Sequence, residues 1–168
     1  MGWTNSHLHQ FFFAGKVFSA PSVEWEVSDD DPSSVNESEA MLSQVLTSVG
    51  EALVYEYDFG DSWEHTVLLE KTLPPDLKTK PAAICIEGKR ACPPEDCGGI
   101  CGYMDLLKVL KNPKHPDYKD MKEWLGRTFD ATRFDLATTN AALRKLKWPD
   151  ANEDGLRRVL MARDGYRE

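Results

Sequence analysis

At 168 residues the chain is long enough for one domain with its own core, and 41% hydrophobic residues is ordinary for a globular protein. Twenty basic against 28 acidic side chains leave a formal charge of -8, a field that repels nucleic acid and anionic membrane unless a local patch or a metal ion reverses it. No apolar run approaches the roughly 20 residues of a membrane-spanning helix, and "MGWTNSHLHQFFF" has no basic leader followed by a signal-type apolar segment, so a cytoplasmic protein is expected.

From the N-terminus, the aromatic run His7 to Phe13 followed by "GKVF" predicts a strand or hairpin ended by "SAPS". "SDDDPSSVNESE" is acidic and cannot bury itself, which predicts a mobile surface loop over 28–39. Met41, Leu42, Val45 and Leu46 have helical spacing, with Gly50 as the stop. Ala52 to Phe59 and Trp63 to Glu70 are β-branched and aromatic runs around "GDS", a hairpin signal. Alternation places Tyr55, Tyr57 and Phe59 on one face, Glu56 and Asp58 on the other, and Trp63, His65, Val67 and Leu69 together on the return strand.

"PAAICIEGKRACPPEDCGGICGY" reads as a strand, a tight turn at Glu87 to Lys89 and a Pro/Gly/Cys loop feeding a helix from about Gly102 to Lys111, stopped by Pro113. "HPDYKDMKEWLG" predicts a second helix with Pro116 in its first turn and Gly126 as its stop. Asp130 and Asp135 are positioned to cap, and Leu136 to Trp148 is a third amphipathic helix. The charged tail 149–168 reads as a weak helix or frayed end beyond a domain of 1–148. Strands first and helices later predict an α+β fold, an antiparallel sheet with hairpins in the N-terminal half packed by C-terminal helices.

Several constellations could carry chemistry. His7 and His9, two apart on a strand, project to one face and with Asp61 and His65 could hold a metal, with Asp58 alongside. The competing reading is that Asp61 caps its own turn while His65 is a satisfied histidine of the sheet. Cys85, Cys92, Cys97 and Cys101, separated by six, four and three residues, could surround zinc, but no pair has the two-residue spacing of a zinc knuckle. Glu95 and Asp96 lie ahead of a glycine pair and a helix, where capping is their default role. Catalysis by paired carboxylates would require Glu95 or Asp96 to approach Asp58 or Asp61, with His65 beside them.

The ordered motifs "MGWTNSHLHQF", "YEYDFGDSWEHTVLLE", "GKRACPPEDCGG", "GYMDLLKVLKNPKHPDYKDMKEWLG" and "FDATRFDLATTNAALRKL" together resemble the plasmid pRiA4b ORF-3-like family, from Met1 to about Trp148. The resemblance implies a small α+β protein whose relatives are often carried on plasmids or transposon-like elements and have no assigned activity. Some relatives carry the label of transposon resolvase, but this acidic chain lacks the nucleophilic serine amid clustered arginines that serine-resolvase chemistry needs. The family's motif carries over onto His7, His9, Asp58, Gly60, Asp61, Trp63, His65, Cys92, Pro93, Pro94, Glu95, Asp96, Gly98 and Gly99. Members usually begin with a strand and a helix ending in "MGW", which implies a domain truncated at its N-terminus with an uncovered sheet edge. The expected site is a cleft between the hairpin turn and the "CPPEDCGG" loop. The expected function is a binding module for a protein or small-molecule partner. A metal-dependent hydrolase or nuclease using Asp58, Asp61, His65, Glu95 and Asp96 is the alternative.

Overall fold

The computed structural model describes residues 2–20, 33–73 and 83–146, and the backbone of 158–161. Strands β1 (His9–Phe13) and β2 (Lys16–Ser19) form the expected hairpin. Then follow β3 (Ser34–Asn36), a 3-10 turn at Glu37–Glu39, the short helix α1 (Leu42–Val45), and strands β4 (Ala52–Tyr57) and β5 (Trp63–Leu73). Helices α2 (Gly99–Lys111), α3 (Tyr118–Leu125) and α4 (Leu136–Leu143) precede a last strand, β6 (Arg158–Met161). The fold is α+β, with one sheet ordered β3-β2-β1-β4-β5-β6. No helix of the described residues is long and apolar enough to cross a membrane.

The sheet is mixed rather than purely antiparallel, because β3 runs parallel to β2 with Phe18 opposite Val35. A parallel neighbour needs a connection of about a dozen residues to carry the chain back, and residues 20–33 supply that length. The polar stretch expected to be all loop therefore contributes a strand and a turn over 34–39. Asn36 Oδ1 caps that turn by accepting from Ser38 N at 3.0 Å, while residues 28–32 lie outside the described residues. At the other edge, Arg158–Met161 is a strand antiparallel to β5 where a weak helix or frayed end was expected. The outer edge of β5 offers an open row of backbone groups to pair with.

On one sheet face Leu53 and Leu69 are buried with Leu46, which follows α1, and Phe11, Phe13, Leu42, Val45, Tyr55 and Val67 pack around them. A four-residue helix cannot persist alone. Burying a leucine contributes about 1.5–3 kcal/mol, enough for Leu46 and its neighbours to hold α1 on the sheet. Farther along the same face Tyr55 pairs with His65 and Tyr57 with Trp63, the expected aromatic row. Phe59 leaves that row, because the strand ends at Tyr57 and Phe59 stands exposed in the turn.

The segment Ala83 to Glu87 forms no strand. The Asn140 side chain takes the place of a neighbouring strand, its Oδ1 accepting from Cys85 N at 2.8 Å and its Nδ2 donating to Cys85 O at 2.9 Å. Helix α2 begins three residues earlier than expected, at Gly99, and buries Leu106. Pro116 precedes the N-cap Asp117 of α3 and so lies outside the first turn, and Gly126 ends that helix with φ 61°. Asp135 caps α4 through Thr138 N at 2.9 Å. That helix ends at Leu143 with a turn to Leu146, and residues 147 and 148 lie outside the described residues.

Candidate cation site at the hairpin turn

The site forms where the aromatic row ends. Trp3 stacks on Tyr57 with ring centroids 4.8 Å apart and 16° between planes, and meets the edge of His65 at 5.3 Å. Its indole Nε1 donates to Pro93 O at 3.0 Å, so one side chain holds the segment before β1 against both the sheet and the "CPPED" loop. Beside it Glu95 Oε1 accepts from Thr4 N at 2.7 Å and Thr4 Oγ1 at 3.0 Å. The fully buried Tyr57 hydroxyl accepts from Ser6 N at 3.2 Å and donates to Glu95 Oε2 at 3.2 Å.

The β4–β5 connection runs from Asp58 to Ser62. Asp58 adopts φ 59°, a left-handed conformation that Asp and Asn tolerate better than most residues. Its Oδ1 accepts from Gly60 N at 3.0 Å and Asp61 N at 3.3 Å, so the residue that caps this turn is Asp58 rather than Asp61. Asp61 reaches the other way, its Oδ2 accepting from Gly98 N at 3.1 Å. The two loops expected to form a cleft therefore do meet. Asp58 is only 8% exposed, and its Oδ2 lies 3.7 Å from His7 Nδ1, longer than a hydrogen bond.

His7 occupies the middle of an acidic set. Its Nε2 is 3.3 Å from Asp96 Oδ1 and 3.9 Å from Glu95 Oε2. Asp96, with φ 54°, has a side chain 70% exposed to solvent. One ligand atom each from His7, Asp58 and Asp96 lies within 4.8 Å of the other two. Two ligands bound at 2.0–2.3 Å to one ion span about 4 Å, so small side-chain rotations would close the set. Among the described residues no Lys or Arg forms an ion pair with Asp58, Asp61, Glu95 or Asp96.

The other candidates go elsewhere. His9 pairs with Glu37, Nε2 to Oε2 at 3.1 Å, and does not join His7, which precedes β1 and escapes its alternation. His65 packs between Trp3 and Tyr55, the latter at 5.7 Å, outside the acidic set. The four cysteines are free, and no three of their thiols converge among the described residues. Cys85 Sγ donates to Glu87 O at 3.2 Å, and Cys101 is exposed on α2. Burial pushes the Cys92 thiol up to about 11, and burial reinforced by the Asp61 charge does the same for Cys97. Both are protonated at neutral pH. The sequence places Asp58 alongside His7 in a metal reading and Asp96 opposite Asp58 in a carboxylate-pair reading, but not the three in one set, and it gives no role to the supporting Trp3, Thr4 and Tyr57. The quoted "MGWTNSH" motif was the available signal for the first two.

A family profile described as plasmid pRiA4b ORF-3-like protein matches residues 1–138, which include every residue of this site. The chain belongs to the plasmid pRiA4b ORF-3-like family. A protein of Sinorhizobium fredii described as uncharacterized protein y4hQ is 35% identical over 151 residues, covering 88% of this chain and 75% of that protein. The crystal structure of MM3350 from Methanosarcina mazei Go1, described as a protein of unknown function, is similar with a TM-score of 0.69 and 37% identity. That likeness covers 81% of this chain and 74% of MM3350.

Proposed function

We propose that this member of the family is a binding module whose ligand is a divalent cation, held by His7, Asp58 and Asp96 with Glu95 behind them. The observation that carries the reading is the convergence of the three ligand atoms within 4.8 Å. Two carboxylates so close repel by about 1 kcal/mol in water and about 4 kcal/mol at the effective dielectric of a protein surface, and a cation converts that cost into attraction. An imidazole with carboxylates suits Mn2+, Fe2+ or Zn2+, whereas Ca2+ and Mg2+ favour oxygen ligands alone.

Calorimetric titration of the untagged protein with MnCl2 and ZnCl2 tests this reading. About one equivalent should bind, and Asp58→Asn should abolish the heat. No binding at millimolar ion, near neutral pH, would remove the cation reading.

A second reading, a metal-dependent hydrolase, is favoured by the exposure of Asp96, which leaves the outward positions of a bound ion to water. A metal ion lowers the pKa of its water and so generates a nucleophile near neutral pH. Turnover of phosphodiester or ester substrates by metal-loaded protein, lost in Asp58→Asn, supports it. Turnover indistinguishable from the variant's leaves the binding module alone.

A further inference from the structure

The three ligands of the proposed cation site come from three segments distant in sequence. His7 belongs to the stretch leading into β1, Asp58 to the β4–β5 turn and Asp96 to the loop entering α2. Their fixity differs. Asp58 is buried, its side chain 11% exposed, its Oδ1 is engaged by the turn, and its Oδ2 is aimed at His7 without a hydrogen bond. Asp96 sits at the exposed rim, with His7 as its contact at 3.3 Å. The loop also meets the turn through Asp61 with Gly98 and Gly99, the end of β4 through Tyr57 and Glu95, and the N-terminal segment through Trp3 with Pro93 and Thr4 with Glu95. Carboxylates stand on both sides of this seam, Asp58 and Asp61 on the hairpin turn and Glu95 and Asp96 on the loop, and His7 lies near Asp58, Glu95 and Asp96.

Resting on the cation reading above, we infer that the ion is a clasp, whose occupancy governs how firmly the 2–8 segment and the 92–99 loop are docked on the aromatic end of the sheet. With the ion bound, Asp58 supplies the rigid jaw and pulls His7 and Asp96 toward it, and the charges that face one another across the seam become attractive. Without it the same charges repel, and docking depends on Trp3, Thr4 and the two loop hydrogen bonds. Opening would uncover Tyr57 and Trp63, which Trp3 covers. Ion occupancy thus gates access to an apolar surface rather than merely adding stability everywhere.

Hydrogen exchange of the full chain, read by mass spectrometry with and without MnCl2, tests the clasp. At a Mn2+ concentration about ten times the Kd, exchange that requires the clasp to open slows about tenfold, in peptides covering 2–8 and 92–99, while β4 is unchanged. Asp96→Asn, at an exposed position whose positive φ asparagine tolerates, should remove the protection of 92–99. Calorimetric binding of Mn2+ with no change of exchange in either segment would overturn the clasp and leave the site standing. Absence of binding would overturn both, and uniform slowing across β4 as well would show global stabilisation in place of a clasp.

Discussion

Gly99 sets the first residue of α2 directly against the main-chain carbonyl of Asp61. A Cβ at this position would overlap that oxygen, and φ is 64°, a conformation L side chains avoid. Gly99→Ala should therefore cost about 1–3 kcal/mol through overpacking and backbone strain. The expected result is a lower urea midpoint, and an unchanged midpoint would mean that the helix entry is not seated on the turn.

Asp58 has two roles that two substitutions separate. Asn keeps the Oδ1 acceptor for Gly60 N and Asp61 N and tolerates a positive φ. Asp58→Asn should leave thermal stability nearly unchanged while losing the cation. Asp58→Ala orphans the turn's donors as well, at about 1–3 kcal/mol. Melting curves and calorimetry on both variants distinguish a turn residue from a ligand: equal cation binding by wild type and Asn would leave Asp58 only the first role.

Tyr57→Phe removes one hydroxyl from a buried junction. Ser6 N loses its acceptor and Glu95 a donor, for an expected loss of about 1–2 kcal/mol. Because Trp3 stacks on the same ring, tryptophan fluorescence should report a looser N-terminal segment before global unfolding. Coincident transitions in wild type and variant would contradict this.

The thiols carry a pH dependence. Cys92 and Cys97 titrate near 11 in the fold, above the ordinary value, because burial disfavours the thiolate. A raised folded value means that the stability involved is fully present below the unfolded pKa of about 8.5 and is lost as pH rises through the folded value. Unfolding should become easier between about pH 8.5 and 11, and Cys92→Ala should flatten that slope. At pH 7.5 iodoacetamide should label exposed Cys101 before Cys92 or Cys97. Equal labelling rates would refute the burial argument.

How much of this was legible beforehand depended on the range of the signal. The β4–β5 hairpin and its aromatic row follow from alternation in "YEYDFGDSWEHTVLLE", and the ends of α3 and α4 from Gly126 and Asp135, all local effects. The parallel β3 left no such mark: "SVN" is a strand because Phe18 lies beside Val35, a tertiary fact. The start of α2 was misplaced because glycines at 98 and 99 usually signal an interruption, whereas here Gly98 is the N-cap, at φ 87°. His7 was assigned to the alternation of β1, although the strand begins at His9. Its carboxylate neighbours come from the hairpin turn and the loop before α2, and no local pattern encodes that meeting.

The pairing of Asn140 with Cys85 has a chemical consequence of its own. One side chain must offer an acceptor to Cys85 N and a donor to Cys85 O at the same time, and a primary amide carries both in fixed order. An isosteric aspartate would present oxygen to oxygen at the second contact, so shape alone cannot satisfy the position. Helix α4 is tethered to the 83–87 segment by a contact that reads the polarity of a peptide group, much as one strand reads the next.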